Sequence, residues 1–195
     1  MRSIKFLSLF FCFTIIYPSS YAQLFTKPNP ALSEALQKMI NDIPNHLQNL
    51  QGAFLEKNQQ SSTYECKIKI PGSVNTTLTS YTSVKDNSKS VSAVIFETEN
   101  FSEAKKKYNE LVNQLKMISF KLPGEINSFK WRVNYDKPDE NKNFSASIFR
   151  TGSEKEEFKD LKLEVSLNAI ITSYTVSLFV YEKKEDDEIS GDNIK

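Results

Sequence analysis

Between Phe129 and Tyr181 one pattern recurs: apolar and polar residues alternate, segment after segment. Phe129, Trp131, Val133 and Tyr135 alternate with Lys130, Arg132, Asn134 and Asp136. Phe144, Ala146 and Ile148 alternate with serines, and Leu161, Leu163, Val165 and Leu167 alternate with Lys162, Glu164 and Ser166. The run "IITSYTVSLFVY" closes the series. Successive side chains of a strand point to opposite faces, so this period of two predicts half-buried strands with one packed face and one wet face. Strands of that kind pair most readily as an antiparallel sheet.

The same period appears earlier. In "TYECKIKI", Tyr64, Cys66, Ile68 and Ile70 alternate with charged residues, and Pro71-Gly72 supplies a turn. "VNTTLTSYTSV" reads as a Thr-rich strand, "KDNSK" as a turn, and "SVSAVIFETE" as a central strand, apolar on both faces near Val94, Ile95 and Phe96. Thr77, Thr79 and Ser83 mark the wet face, which would suit an interaction surface or a solvated sheet.

Two segments have the other period. Leu32, Leu36, Met39, Ile40 and Ile43 fall on one helical face, Pro44 breaks the helix, and Leu47 and Leu50 continue toward a stop at Gly52. In "NFSEAKKKYNELVNQLK", Phe101, Ala104, Tyr108, Leu111, Leu115 and Ile118 form a second apolar stripe. Asn100 can cap that helix, with Glu103 completing a capping-box-like pair. Lys105, Lys106 and Lys107 fan over about 200° of arc, so they form the wet side of the helix, with Glu103 and Glu110 four residues from Lys107 and Lys106.

The expected fold is therefore α+β: a mainly antiparallel sheet of about seven strands with two helical segments on one face, in the order α-βββ-α-ββββ. Ser33-Glu34-Ala35 and Ser102-Glu103-Ala104 begin the two halves alike, which suggests a two-unit pseudo-repeat whose helices cover one face of one long sheet.

The ends differ from the body. Arg2 and Lys5, the apolar run Phe6 to Tyr17, and the small residues Ser20 and Ala22 read as a signal peptide spanning residues 1–22, cleaved between Ala22 and Gln23. The apolar run is shorter than the roughly 20 residues a membrane span needs, so no stable membrane anchor is expected. Cys12 lacks the small residues that precede a lipidated cysteine. Residues 23–181 form a single domain, and residues 182–195 form a disordered acidic tail, too poor in apolar residues to offset the entropy of ordering. The expected localisation is exported, either periplasmic or extracellular.

Without Arg2 and Lys5 the chain keeps 23 basic and 24 acidic residues, so its formal charge moves from +1 to −1. Such a balance gives no electrostatic reason to expect nucleic acid or an anionic membrane as partner. Cys66 remains as the single cysteine, so the fold rests on its core.

Chemistry is sparse. There is no Gly-rich phosphate loop and no nucleophile elbow. One histidine and one cysteine cannot build a zinc site, and neither "EDDE" nor "DENKN" has the pattern of a calcium loop. Cys66 with His46 is the sharpest catalytic pairing, but Cys66 shares the apolar face of its strand, where a buried, inert thiol is the commoner outcome. No catalytic, cofactor-binding or metal-binding residue is assigned, and no cofactor is expected. Phe129, Trp131 and Tyr135 are candidate ligand-cleft aromatics, although packing against the helices is the commoner use of such residues. Lys130 and Arg132 lie on the opposite face from those aromatics, whereas single-strand binders need both on one face. Three sequons, at Asn75, Asn100 and Asn143, are potential glycan acceptors in an exported protein.

These readings lead to an exported, non-enzymatic α+β protein, a binding or accessory module whose partner is another protein or a small apolar ligand. The alternative is a carrier holding a small apolar ligand between helices and sheet. A hydrolase is the third reading.

Overall fold

The structure, a computed structural model, describes residues 28–82 and 88–183. The expected signal peptide with its Ala22–Gln23 junction and Cys12, Ser83 with most of the expected "KDNSK" turn, and the expected tail from residue 184 onward lie outside the described residues.

The chain runs α1 (Pro30–Asn41), two 3₁₀ turns (Ile43–Asn45 and Gln48–Leu50), β1 (Gln51–Lys57), β2 (Ser61–Cys66), β3 (Asn75–Tyr81) and β4 (Lys89–Thr98). Then follow α2 (Phe101–Met117), β5 (Ser119–Lys121), β6 (Ser128–Lys130), β7 (Arg132–Asn134), β8 (Phe144–Arg150), β9 (Leu161–Ile170) and β10 (Ser173–Glu182). Eight strands make one antiparallel sheet in the order β1-β2-β3-β4-β10-β9-β8-β7, and β5 and β6 pair separately. The α+β class and the antiparallel sheet are as the periodicity predicted.

The order also repeats. Each half has a helix and a four-strand meander running from the sheet edge to its centre, where β4 and β10 meet antiparallel; in the second half the β5–β6 pair comes between them. The helices are not placed equivalently: α2 lies over β4, β9 and β10, while α1 reaches β5 through Gln37, whose side chain both donates to and accepts from the Lys121 backbone.

One register row shows why the sheet has a packed face. Val133, Phe149, Leu163, Val180, Val91, Leu78, Tyr64 and Phe54 stand side by side across all eight strands. The helices bury this face with Leu36, Met39 and Ile40 of α1 and Ala104, Tyr108, Leu111, Val112 and Leu115 of α2. Each large side chain buried there contributes roughly 1.5–3 kcal/mol. Asn29 and Asn100 cap the two helices by accepting backbone N–H bonds. The capping box at α2 is relayed: the Asn100 N–H donates to Thr98 Oγ1, which donates to Glu103 Oε2.

Six expectations are corrected. The first half has four strands, because Gly52 does not stop a helix. It sits in β1 beside a bulge, where a Cβ would lie 2.8 Å from the Glu65 carbonyl oxygen. The helical continuation through Leu47 and Leu50 is instead a pair of 3₁₀ turns, with His46 and Leu47 at positive φ and the Asp42 carboxylate accepting from Asn45 and Asn49. The strand through Tyr64 ends at Cys66, short of Ile68 and Ile70, and the strand through Phe129 to Tyr135 divides at Trp131, β6 pairing with β5 and β7 with β8. In β8 the faces are reversed: Ser145, Ser147 and Phe149 are buried toward the helices, while Phe144 is exposed. Glu182, placed in the tail, is the last residue of β10.

Candidate functional site: the helix-free face of the sheet

The outer face takes the alternate residues of the same strands. Its central row carries Glu65, Thr77, Ser92, Phe179, Glu164, Ile148 and Asn134 in register. Toward the start of β9, Ser90, Tyr181, Lys162, Arg150 and Arg132 form the next row. The Thr- and Ser-rich character expected of this face holds over β2 to β4, but its middle is aromatic.

That middle is a cleft of about 350 Å³ lined by Tyr81, Ser90, Glu164, Phe179 and Tyr181, with Ser88, Lys89, Glu182 and Lys183 at its end. Pleating places the rings: Phe179 and Tyr181 are two residues apart on β10, so they project to one side, and Tyr81 reaches the Ser90 hydroxyl, which donates to its phenol oxygen at 3.4 Å. The Tyr181 hydroxyl donates to Glu164 Oε2 at 2.9 Å, which fixes the carboxylate along one wall. Lys89 donates to Gln48 at the helix side. The cleft thus offers flat apolar walls and a few oriented polar groups, the usual makeup of a small-molecule site.

The predicted cleft aromatics lie elsewhere. Trp131 is buried 4.2 Å from the Phe120 ring centroid, and Phe120 stacks on Phe129 at 6.1 Å, so these side chains close the end of the core. The Trp131 indole N–H has no hydrogen-bond partner among the described residues. Tyr135 is half exposed, its hydroxyl donating to Asn109 and its ring under Lys116. None of the three borders the cleft. Two further hollows, of about 180 Å³ between Leu32, Ile95 and Leu111 and of about 560 Å³ beside the loop 67–76, exclude them as well.

Cys66 and His46 are not brought together. Cys66 is buried in the core, and burial pushes its thiol pKa up, offset in part by a backbone hydrogen bond at Ile68. His46 Nδ1 lies 3.0 Å from Glu182 Oε2. Among the described residues no group of three or more His, Cys, Asp or Glu side chains is placed to hold a metal ion, and no helix is long and apolar enough to cross a membrane.

Asn75, Asn100 and Asn143 are all exposed, and all lie toward one end of the sheet: the start of β3, the end of β4 and the start of β8. The Asn100 carboxamide is committed to capping α2 through the N–H groups of Ser102 and Glu103. Of the lysine triplet, Lys105 lies over the Phe101 ring and Lys107 borders the 180 Å³ hollow.

The outer aromatics had a signal in the sequence. In "SLFVY" apolar residues occupy both parities, so one parity must face away from the helices. Comparison with known proteins gives no match: no family model, no curated protein and no solved structure.

Proposed function

We propose that the protein is an exported, non-enzymatic binding module that engages a small ligand with a planar apolar body in the Tyr81–Phe179–Tyr181 cleft. The observation that carries this reading is the cleft itself. Three aromatic side chains are grouped on a sheet face that the helices leave uncovered, around a volume within the few-hundred-Å³ range of ligand sites. Export is supported by the basic start, short apolar run and small-x-small junction of residues 1–22.

Two measurements test it. N-terminal sequencing of the secreted or periplasmic protein should begin at Gln23; a start at Met1 overturns the export part. Fluorescence titration with 8-anilinonaphthalene-1-sulfonate should saturate at one site, and Phe179→Ser should weaken it at least tenfold. Equal affinity in the variant, or no saturable binding, overturns the cleft part.

The carrier reading has a narrower support. The hollow between α1, α2 and β4 is about 180 Å³, below the size of ordinary ligand cavities. Co-purified lipid seen by native mass spectrometry, unaffected by Phe179→Ser, would favour it.

A further inference from the structure

The aromatic cleft has a charge pattern as well as a shape. Glu164 of β9 stands directly opposed to Phe179 of β10, and Tyr181 projects from the same face two residues further along β10. Directly opposed residues of neighbouring antiparallel strands have Cβ atoms about 5 Å apart, so a carboxylate lies beside two rings. Tyr81 comes from β3, on the far side of β4. Ser90 of β4, opposed to Tyr181, is the small residue that keeps the floor open between Tyr81 and Tyr181. Three rings from β3 and β10 and one carboxylate from β9 thus surround a single hollow.

Proton counting gives that hollow its sign. The Tyr181 hydroxyl gives its one proton to Glu164 Oε2, and the Ser90 hydroxyl gives its own to the Tyr81 phenol oxygen. The carboxylate is thereby oriented in the wall. The face of an aromatic ring is the negative part of its quadrupole, so rings and carboxylate favour the same complement, a positive charge. The other charged residues of the lining stand at the end of the cleft. Lys89 donates to Gln48, Glu182 Oε2 lies 3.0 Å from His46 Nδ1, and Lys183 is exposed. Lys162, directly opposed to Tyr181, is 1% exposed and does not line the cleft.

We propose that the cleft takes a quaternary ammonium group carried on the ligand's apolar body, an inference that rests on the reading of the cleft as a ligand site. A primary ammonium brings three N–H donors that need acceptors, whereas ring faces offer electrostatic attraction without hydrogen bonds. A quaternary ammonium brings no donor and presents a positively charged apolar surface, which aromatic faces attract when it lies within about 6 Å of their centroids. Tyr81, Phe179 and Tyr181 supply those faces, and Glu164 supplies the counter-charge in the wall. The volume of about 350 Å³ accommodates the head group together with part of a planar body.

The test is a pair of probes of one shape and two charges: (4-hydroxyphenyl)trimethylammonium and its neutral isostere 4-tert-butylphenol, each titrated into the full chain by calorimetry at neutral pH. The cation should bind at least tenfold more tightly than the isostere. Glu164→Gln keeps an acceptor for the Tyr181 hydroxyl and removes the charge, so it should cut that ratio at least threefold, and Phe179→Ser should weaken both probes. A ratio near one in the native chain, or a ratio that Glu164→Gln leaves unchanged, overturns the inference. If both probes still bind and both are weakened by Phe179→Ser, the ligand cleft itself stands; if neither binds saturably, cleft and inference fall together. The sulfonate dye carries no cation, so its binding tests the aromatic walls alone.

Discussion

Tyr108 ties α2 to the sheet, and its removal is the sharpest test of the packed face. Its ring is fully buried, and its hydroxyl lies 2.6 Å from Ser147 Oγ and 3.0 Å from the Asp136 carbonyl oxygen, while the Asp136 N–H donates to Ser147 Oγ at 3.1 Å. Donor counting orders the ring. The phenol has one proton and gives it to the Asp136 carbonyl, so Ser147 must donate to the phenol oxygen and accept from the Asp136 N–H. Tyr108→Phe removes one donor and one acceptor and leaves a buried serine proton and a carbonyl lone pair unmatched. A buried pair of that kind is worth about 1–2 kcal/mol, which for a domain of this size lowers Tm by about 2–8 °C. Ser147→Ala should have a similar effect, and the double variant should cost less than the sum of the two. Urea unfolding of the four proteins gives the coupling energy. Additive losses, or a Tyr108→Phe variant as stable as the native chain, would refute the ring.

The same group makes a pH prediction. Burial is the main cause that pushes the Tyr108 pKa up to about 12, with the Ser147 hydrogen bond opposing and the charges of Asp136, Tyr135 and Glu164 assisting. A tyrosine in the unfolded chain titrates near 10. Between those values the folded state holds a proton that the unfolded state has released, so stability falls as pH rises from about 10 to 12. After allowance for solvent screening the loss is about 1–2 kcal/mol. Tyr108→Phe has no phenol to titrate, so its deficit relative to the native chain should shrink above pH 10. A gap that stays constant to pH 12 would sink the assignment.

Three further perturbations have defined outcomes. Gly52→Ala places a Cβ against the Glu65 carbonyl at 2.8 Å and should destabilise by about 1–3 kcal/mol in chemical denaturation; a neutral result would mean the β1 bulge yields freely. Ile171→Gly should stabilise by about 0.5–1 kcal/mol, because a β-branched, fully exposed residue now holds φ 50° at the tip of the β9–β10 hairpin. The Cys66 thiol should react with Ellman's reagent at least tenfold more slowly in the folded protein than in urea at pH 8, since burial both shields it and raises its pKa.

How much of this was legible in the sequence depends on what each strand touches. The alternation of Leu161, Leu163, Val165 and Leu167 specified β9 and its faces, because all four are buried on the face that the helices cover. In β8 the same reading put Phe144, Ala146 and Ile148 inside, and the strand is turned the other way. The cause is Tyr108, whose hydroxyl needs a polar partner inside the core and finds it in Ser147. Alternation reveals that a strand has two faces, and a buried hydrogen bond between distant segments decides which one is inside. β1 left no periodic trace, since Ala53, Phe54 and Leu55 follow one another on an exposed edge interrupted by bulges. Trp131 continued the pattern of its neighbours yet marks the point where the chain leaves one sheet for another, because Phe120 holds it.

The two faces of the sheet divide the work of the molecule. The row from Val133 to Phe54 is apolar on every strand, and its central members, Phe149, Leu163, Val180, Val91 and Leu78, are buried, so the fold is specified there. The outer row is free of that demand, yet it is not uniformly the hydrated Ser/Thr surface that β2 to β4 present. Over β10 it carries Phe179 and Tyr181 where polar residues would serve solubility. Aromatic side chains grouped on the face that the helices leave uncovered are where a binding surface is to be sought.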